Sequence, residues 1–100
     1  MTEKQHVQHL SVKIPESLEP VYSNLIKISH KDDEFTLTFL HRIQDSNLAM
    51  GRAIVTITPP HAKRLVKALI ANVQKYESNF GEIKLPEETE PKEDTNVEVA

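Results

Sequence analysis

Apolar and polar residues alternate with a period of two along much of the first half of the chain. Leu10, Val12 and Ile14 alternate with Ser11 and Lys13, the spacing of a pleated strand with one face covered. Pro15 stops this run, which predicts a short edge strand. Glu16 to Pro20 then reads as a loop. Val21 to Ser29 is a second strand candidate, with Tyr22, Asn24, Ile26 and Ile28 on one face and Leu25 and Lys27 on the other. His30 to Glu34 is a polar turn in which Asp32 and Asp33 can bond their own backbone. Phe35 to Ile43 is the clearest strand. Phe35, Leu37, Phe39 and Ile43 share a face, and Thr36, Thr38, Leu40 and Arg42 share the other. Its β-branched and aromatic content suits a half-buried sheet. After the polar loop Gln44 to Leu48, Ala49 to Ile57 alternates again. Gly51 there marks a bulge or a close backbone approach.

At Thr58-Pro59-Pro60 the period changes. Thr58 has the hydroxyl of an N-cap, and Pro59 suits the first helical position, where a missing N–H costs little. Ala62, Leu65, Val66, Leu69, Val73, Tyr76 and Phe80 recur at helical spacing. Gly81 suits the residue just past the helix, and Ile83 can fold back on its last turn. Short polar connections favour antiparallel hairpins over parallel crossovers. The pattern predicts one α+β domain over residues 10–83. It is an antiparallel β-meander of three to four strands followed by one long C-terminal amphipathic helix. A flexible N-terminus (1–9) and a disordered acidic tail (84–100) flank it.

Composition narrows the function classes. One hundred residues fit a single domain. The absence of cysteine excludes disulfides and thiolate metal sites. The polar start lacks the apolar run of a signal peptide, and no stretch has the roughly 20 apolar residues that span a bilayer. A cytoplasmic protein with no membrane partner is therefore expected. The net charge of −3 is uneven. From Glu82 to Ala100 seven acids face two bases, a net of −5, which leaves the body at +2. That mild basicity is far from the strong bias of most nucleic-acid binders.

A single helix covers only part of such a sheet, and a body of this size gains little net stability from its own core. Leu25, Leu40 and Ile54 lie on strand faces opposite the main apolar set, and Ile70 lies off the helical stripe. These four are the candidate self-association residues, and a homo-oligomer, favoured as a dimer, is expected. Edge-to-edge strand pairing is another route. His61, Lys63, Arg64 and Lys67 gather near the helix start, where backbone N–H groups favour anions. They are candidates for binding an anion or a partner, although charged helix faces are ordinary. The acidic tail could compete for them.

The remaining chemistry is sparse. His6 and His9 lack the convergent ligands of a zinc site. His41 lacks the nucleophile and orienting group that a catalytic base needs. Asp32, Asp33 and Glu34 are adjacent and do not converge on a cation as a calcium loop does. With two glycines, Gly51 and Gly81, there is no phosphate-cradling loop. Neither catalysis nor a cofactor is expected. Asn24, on an apolar strand face, requires hydrogen-bond partners if buried, and so is a register or pocket residue together with Tyr22.

Several segments carry a family likeness. They are Pro20-Val21-Tyr22-Ser23-Asn24-Leu25, Ile28-Ser29-His30, Glu34-Phe35, Thr58-Pro59-Pro60-His61-Ala62-Lys63-Arg64-Leu65 and Lys67-Ala68-Leu69. Asn72-Val73-Gln74-Lys75-Tyr76-Glu77 and Phe80-Gly81-Glu82-Ile83 continue it, and Val12-Lys13-Ile14-Pro15-Glu16 precedes it. Together they resemble a family of small bacterial and archaeal proteins, domain of unknown function 3467. The resemblance implies that Tyr22, Asn24, Lys63, Arg64 and Lys67 belong to a recurrent pattern, and it implies no reaction. The leading expectation is an oligomeric interaction or adaptor module with a protein partner. The alternatives are a holdase, since the layout broadly resembles the export chaperone SecB, and a nucleic-acid binder using Lys63, Arg64, Lys67 and Lys75.

Overall fold

A computed structural model describes residues 9–86 and 97–100. Three strands form an antiparallel meander: β1 (Leu25–Lys31), β2 (Glu34–Arg42) and β3 (Ala49–Ile57). The helix α1 (Pro59–Phe80) follows, and a short strand β4 (Glu98–Val99) closes the sheet in the order β3-β2-β1-β4. The chain is thus α+β, with a meander-like sheet followed by one long helix.

The period-two pattern is realised as two distinct faces of the sheet. Ile26 lies opposite Phe39, and Phe39 opposite Ala53; Ile28 lies opposite Leu37, and Leu37 opposite Val55. Phe35 and Ile57 extend this apolar face. The reverse face carries Leu25 opposite Leu40, Lys27 opposite Thr38, and Thr38 opposite Ile54. The register slips between Phe39 and Leu40, where Arg52 is the extra residue of β3. Gly51 stands beside this bulge, and a Cβ there would meet nothing within 4 Å. It therefore marks the bulge and not a close approach. Asp32 and Asp33 form the two-residue β1–β2 turn. In the β2–β3 loop, Asp45 takes a left-handed φ of 63°, and Ser46 Oγ accepts from the Leu48 N–H at 2.9 Å.

The helix bounds follow local chemistry. Thr58 Oγ1 accepts from the His61 N–H at 3.3 Å, satisfying one orphan donor of the first turn. Pro59 and Pro60 occupy the first two helical positions. At the other end Gly81, at φ 100°, donates its N–H to the Glu77 carbonyl at 2.9 Å. The Glu77 carboxylate then accepts from the Ile83 N–H at 3.0 Å. Ile83 turns back on the last turn through its backbone.

Three expectations need correction. Leu10, Val12 and Ile14 form no strand and are 80%, 74% and 69% exposed; alternation makes a strand only where a neighbour supplies the ladder. Pro15 instead opens a turn, its carbonyl accepting from the Leu18 N–H at 3.0 Å. The strand expected from Val21 to Ser29 is displaced to Leu25–Lys31, because its partner β2 begins at Glu34 after a two-residue turn. The end of the expected disordered tail is ordered, since β4 pairs with β1. The rest of that tail over 87–96, and the expected flexible start over 1–8 with His6, lie outside the described residues.

No described residue is fully buried. The strands β1 and β2 are mostly half-buried. The helix approaches the sheet at β2 and buries none of its own residues. The apolar face and the apolar stripe are both formed, yet they do not cover one another. No helix among the described residues is long and apolar enough to cross a membrane.

Candidate functional site

The helix stripe is an open apolar surface on an ordered element. Leu65, Val66, Leu69, Val73, Tyr76 and Phe80 are all exposed, Leu69 at 58% and Phe80 at 75%. Tyr76 and Phe80 sit one turn apart with ring centroids 5.0 Å from each other, a pairing that preforms an aromatic ledge at the helix end. Val66, Leu69, Ile70, Val73 and Gln74 line a shallow, almost wholly apolar groove along the helix. Ile70 therefore joins the helical stripe and broadens it.

The four candidate self-association residues thus fall into two groups. Leu25 and Leu40 are cross-strand partners on the reverse face of the sheet, and Ile54 lies on the same face diagonal to Leu40, 69% exposed. Val99, opposite Lys27, adds to this smaller patch. Ile70 is apart from them on the helix.

The basic candidates are also divided. His61 and Arg64 border a shallow depression with Asp33, Glu34, Thr56, Ile57 and Thr58. The depression thus brings two carboxylates to the helix start, and Glu34 is itself ion-paired with Lys31 at 3.8 Å. Lys63 and Lys67 do not border this depression. An anion entering here meets no convergent cluster of cations.

Tyr22 and Asn24 do different work at the other end of the sheet. The Tyr22 ring meets His41 edge-on, at 5.3 Å and 83°. Asn24 Oδ1 accepts from the Arg42 N–H at 2.7 Å, and Asn24 Nδ2 donates to the Arg42 carbonyl at 3.3 Å. Its own N–H donates to the Leu40 carbonyl at 3.1 Å. The carboxamide thus imitates one more peptide of β1 and holds β2 in register. Ser23 Oγ reinforces the same corner by donating to the Leu40 carbonyl at 2.9 Å. This corner opens into a polar depression bordered by Arg42, Gln44, Asp45, Ser46 and Asn47.

Sequence reasoning missed Ser23 and the β4 contact. The alternation Val97-Glu98-Val99 was the available signal for β4. No group of three or more His, Asp or Glu side chains able to hold a metal occurs among the described residues.

The family model described as "Protein of unknown function (DUF3467)" matches residues 1–85. No curated protein and no solved structure matches the chain.

Proposed function

The chain belongs to the DUF3467 family of proteins of unknown function, and we propose that it serves as a non-catalytic protein-interaction module whose folded unit is completed by a second copy of itself. The observation that carries this reading is the open stripe from Leu65 to Phe80 on an ordered helix. A helix is held in water mainly by packing its apolar face, and this one packs little within its own chain. With ~200 Å² for a fully open large side chain, the stripe and Ile70 leave on the order of 700 Å² uncovered. A standard interface buries about 800 Å² on each partner. A second copy offers the matching surface, since its own stripe and its half-open sheet face are equally apolar. Isologous pairing about a two-fold axis is the commonest arrangement for such a surface.

Light scattering on the purified chain tests the proposal. A mass of two chains of 11.4 kDa is expected at micromolar concentration. Leu69→Asp puts a charge at the centre of the stripe and should weaken association at least about 100-fold, because a buried, unpaired carboxylate is strongly disfavoured. A wild-type chain that remains single and cooperatively folded at high concentration would overturn the reading.

A further inference from the structure

The C-terminal strand occupies a position that a partner could use. β4 lies antiparallel along the outer edge of β1, with Val99 opposite Lys27 and Glu98 opposite Ile28. The Ile26 N–H donates to the Ala100 carbonyl, and the Ala100 N–H donates to the Ile26 carbonyl, both at 2.8 Å. Val97 and Val99 are half-buried, and Glu98 between them is exposed. Val99 sits diagonal to Leu25 and extends the apolar patch on the reverse face. The pairing is short beside the seven residues of β1. The strand carries Lys27, His30 and Lys31, the last ion-paired with Glu34 at 3.8 Å, and the segment it holds comes from the acidic end of the chain.

We propose that the outer edge of β1 is a docking site for an extended peptide strand of a partner protein, acidic and with valine-like residues at alternate positions, and that Val97–Ala100 is the tethered occupant such a strand displaces. Main-chain bonds along a sheet edge supply affinity, and alternate side chains supply specificity. An acid at the Glu98 position shares the face of β1 that carries His30, whereas Lys27 lies opposite Val99. The patch around Leu25 favours β-branched side chains on the face where Val99 now lies. An edge left open would pair with any available strand, so a weak tethered occupant also screens partners. The family match ends at residue 85. The edge therefore belongs to the matched part of the chain, and its present occupant lies outside it. The inference does not depend on self-association, because β1 and the helix stripe are different surfaces.

The test is an amide NMR titration of two chains, the full chain and one ending at Asn96, with a peptide carrying residues 95–100. The peptide is added to about 2 mM, the effective concentration typical of a short tether. In the shortened chain the Ile26 and Ile28 amides should shift towards their full-chain positions as peptide is added. A peptide carrying Val97→Asp and Val99→Asp should leave them unmoved, and the full chain, whose edge is already occupied, should show a weaker response than the shortened one. Ala100→Pro in the full chain removes the N–H that donates to Ile26 and should make the full chain responsive, which guards against a shortened chain that folds poorly. Identical Ile26 amide shifts in the full chain, the shortened chain and the Ala100→Pro chain would overturn the proposal. So would a responsive edge that binds both peptides equally.

Discussion

Replacing Asn24 with alanine should unfasten one end of the meander. The carboxamide makes two bonds to the backbone of Arg42, at 2.7 and 3.3 Å, and both residues are exposed. A hydrogen bond in such a place contributes roughly 0.5–1.5 kcal/mol net, because water replaces the lost partner. The shorter bond belongs in the upper part of that range and the longer one in the lower part. The expected loss is therefore about 1.5 kcal/mol, or about 6–12 °C in melting temperature for a domain of this size. Asn24→Asp keeps the acceptor for the Arg42 N–H but turns a carboxylate oxygen towards the Arg42 carbonyl. It should be at least as destabilising as alanine, although its shape is nearly unchanged. Urea denaturation at fixed chain concentration measures both variants, since any self-association makes the midpoint depend on concentration. Amide hydrogen exchange supplies a local readout. The Arg42 N–H should exchange faster, and the amides of the Asp32–Asp33 turn at the other end should not. An unchanged midpoint and unchanged Arg42 exchange in Asn24→Ala would refute the view that this side chain fastens β2.

The helix ends give two further expectations. Thr58→Ala removes the acceptor for the His61 N–H and should cost about 1 kcal/mol, read as a lower denaturation midpoint; Thr58→Asn should restore most of it. Gly81 sits at φ 100° and ψ 166° with open space where a Cβ would lie. Gly81→Ala should therefore cost about 1–3 kcal/mol through backbone strain alone, and a stability equal to wild type would mean that the helix ends differently.

The elements legible in the sequence are those whose signals are local. Thr58-Pro59-Pro60 and Gly81 bracket the helix chemically, and β3 alternates from Ala53 to Ile57 beyond the bulge that Gly51 marks, so their bounds match the structure. The alternation of Leu10, Val12 and Ile14 is equally regular, yet no neighbouring strand completes it. β4 has the opposite history. Two residues in an acidic stretch carry little intrinsic preference, and pairing with β1 makes them a strand. For the candidate site, the helical period located the apolar stripe but could not show that the sheet leaves it open. It also placed Ile70 off the stripe, where the three-dimensional groove includes it. The basic cluster read as one group because His61, Lys63, Arg64 and Lys67 are close in sequence. The fold brings Asp33 and Glu34 to the same depression as His61 and Arg64, a proximity of distant segments that composition does not reveal.

The succession of neighbouring hairpins sets an order for folding. The β1–β2 turn closes over two residues, whereas the Ile26–Ala100 bonds join positions more than 70 residues apart. Loop-closure entropy rises by about 0.6 kcal/mol per doubling of length, which disfavours the longer closure by roughly 3 kcal/mol in a flexible chain. The meander should therefore nucleate quickly from local contacts, with the terminal pairing arriving last and opening first, on its own, while the remainder of the molecule stays intact.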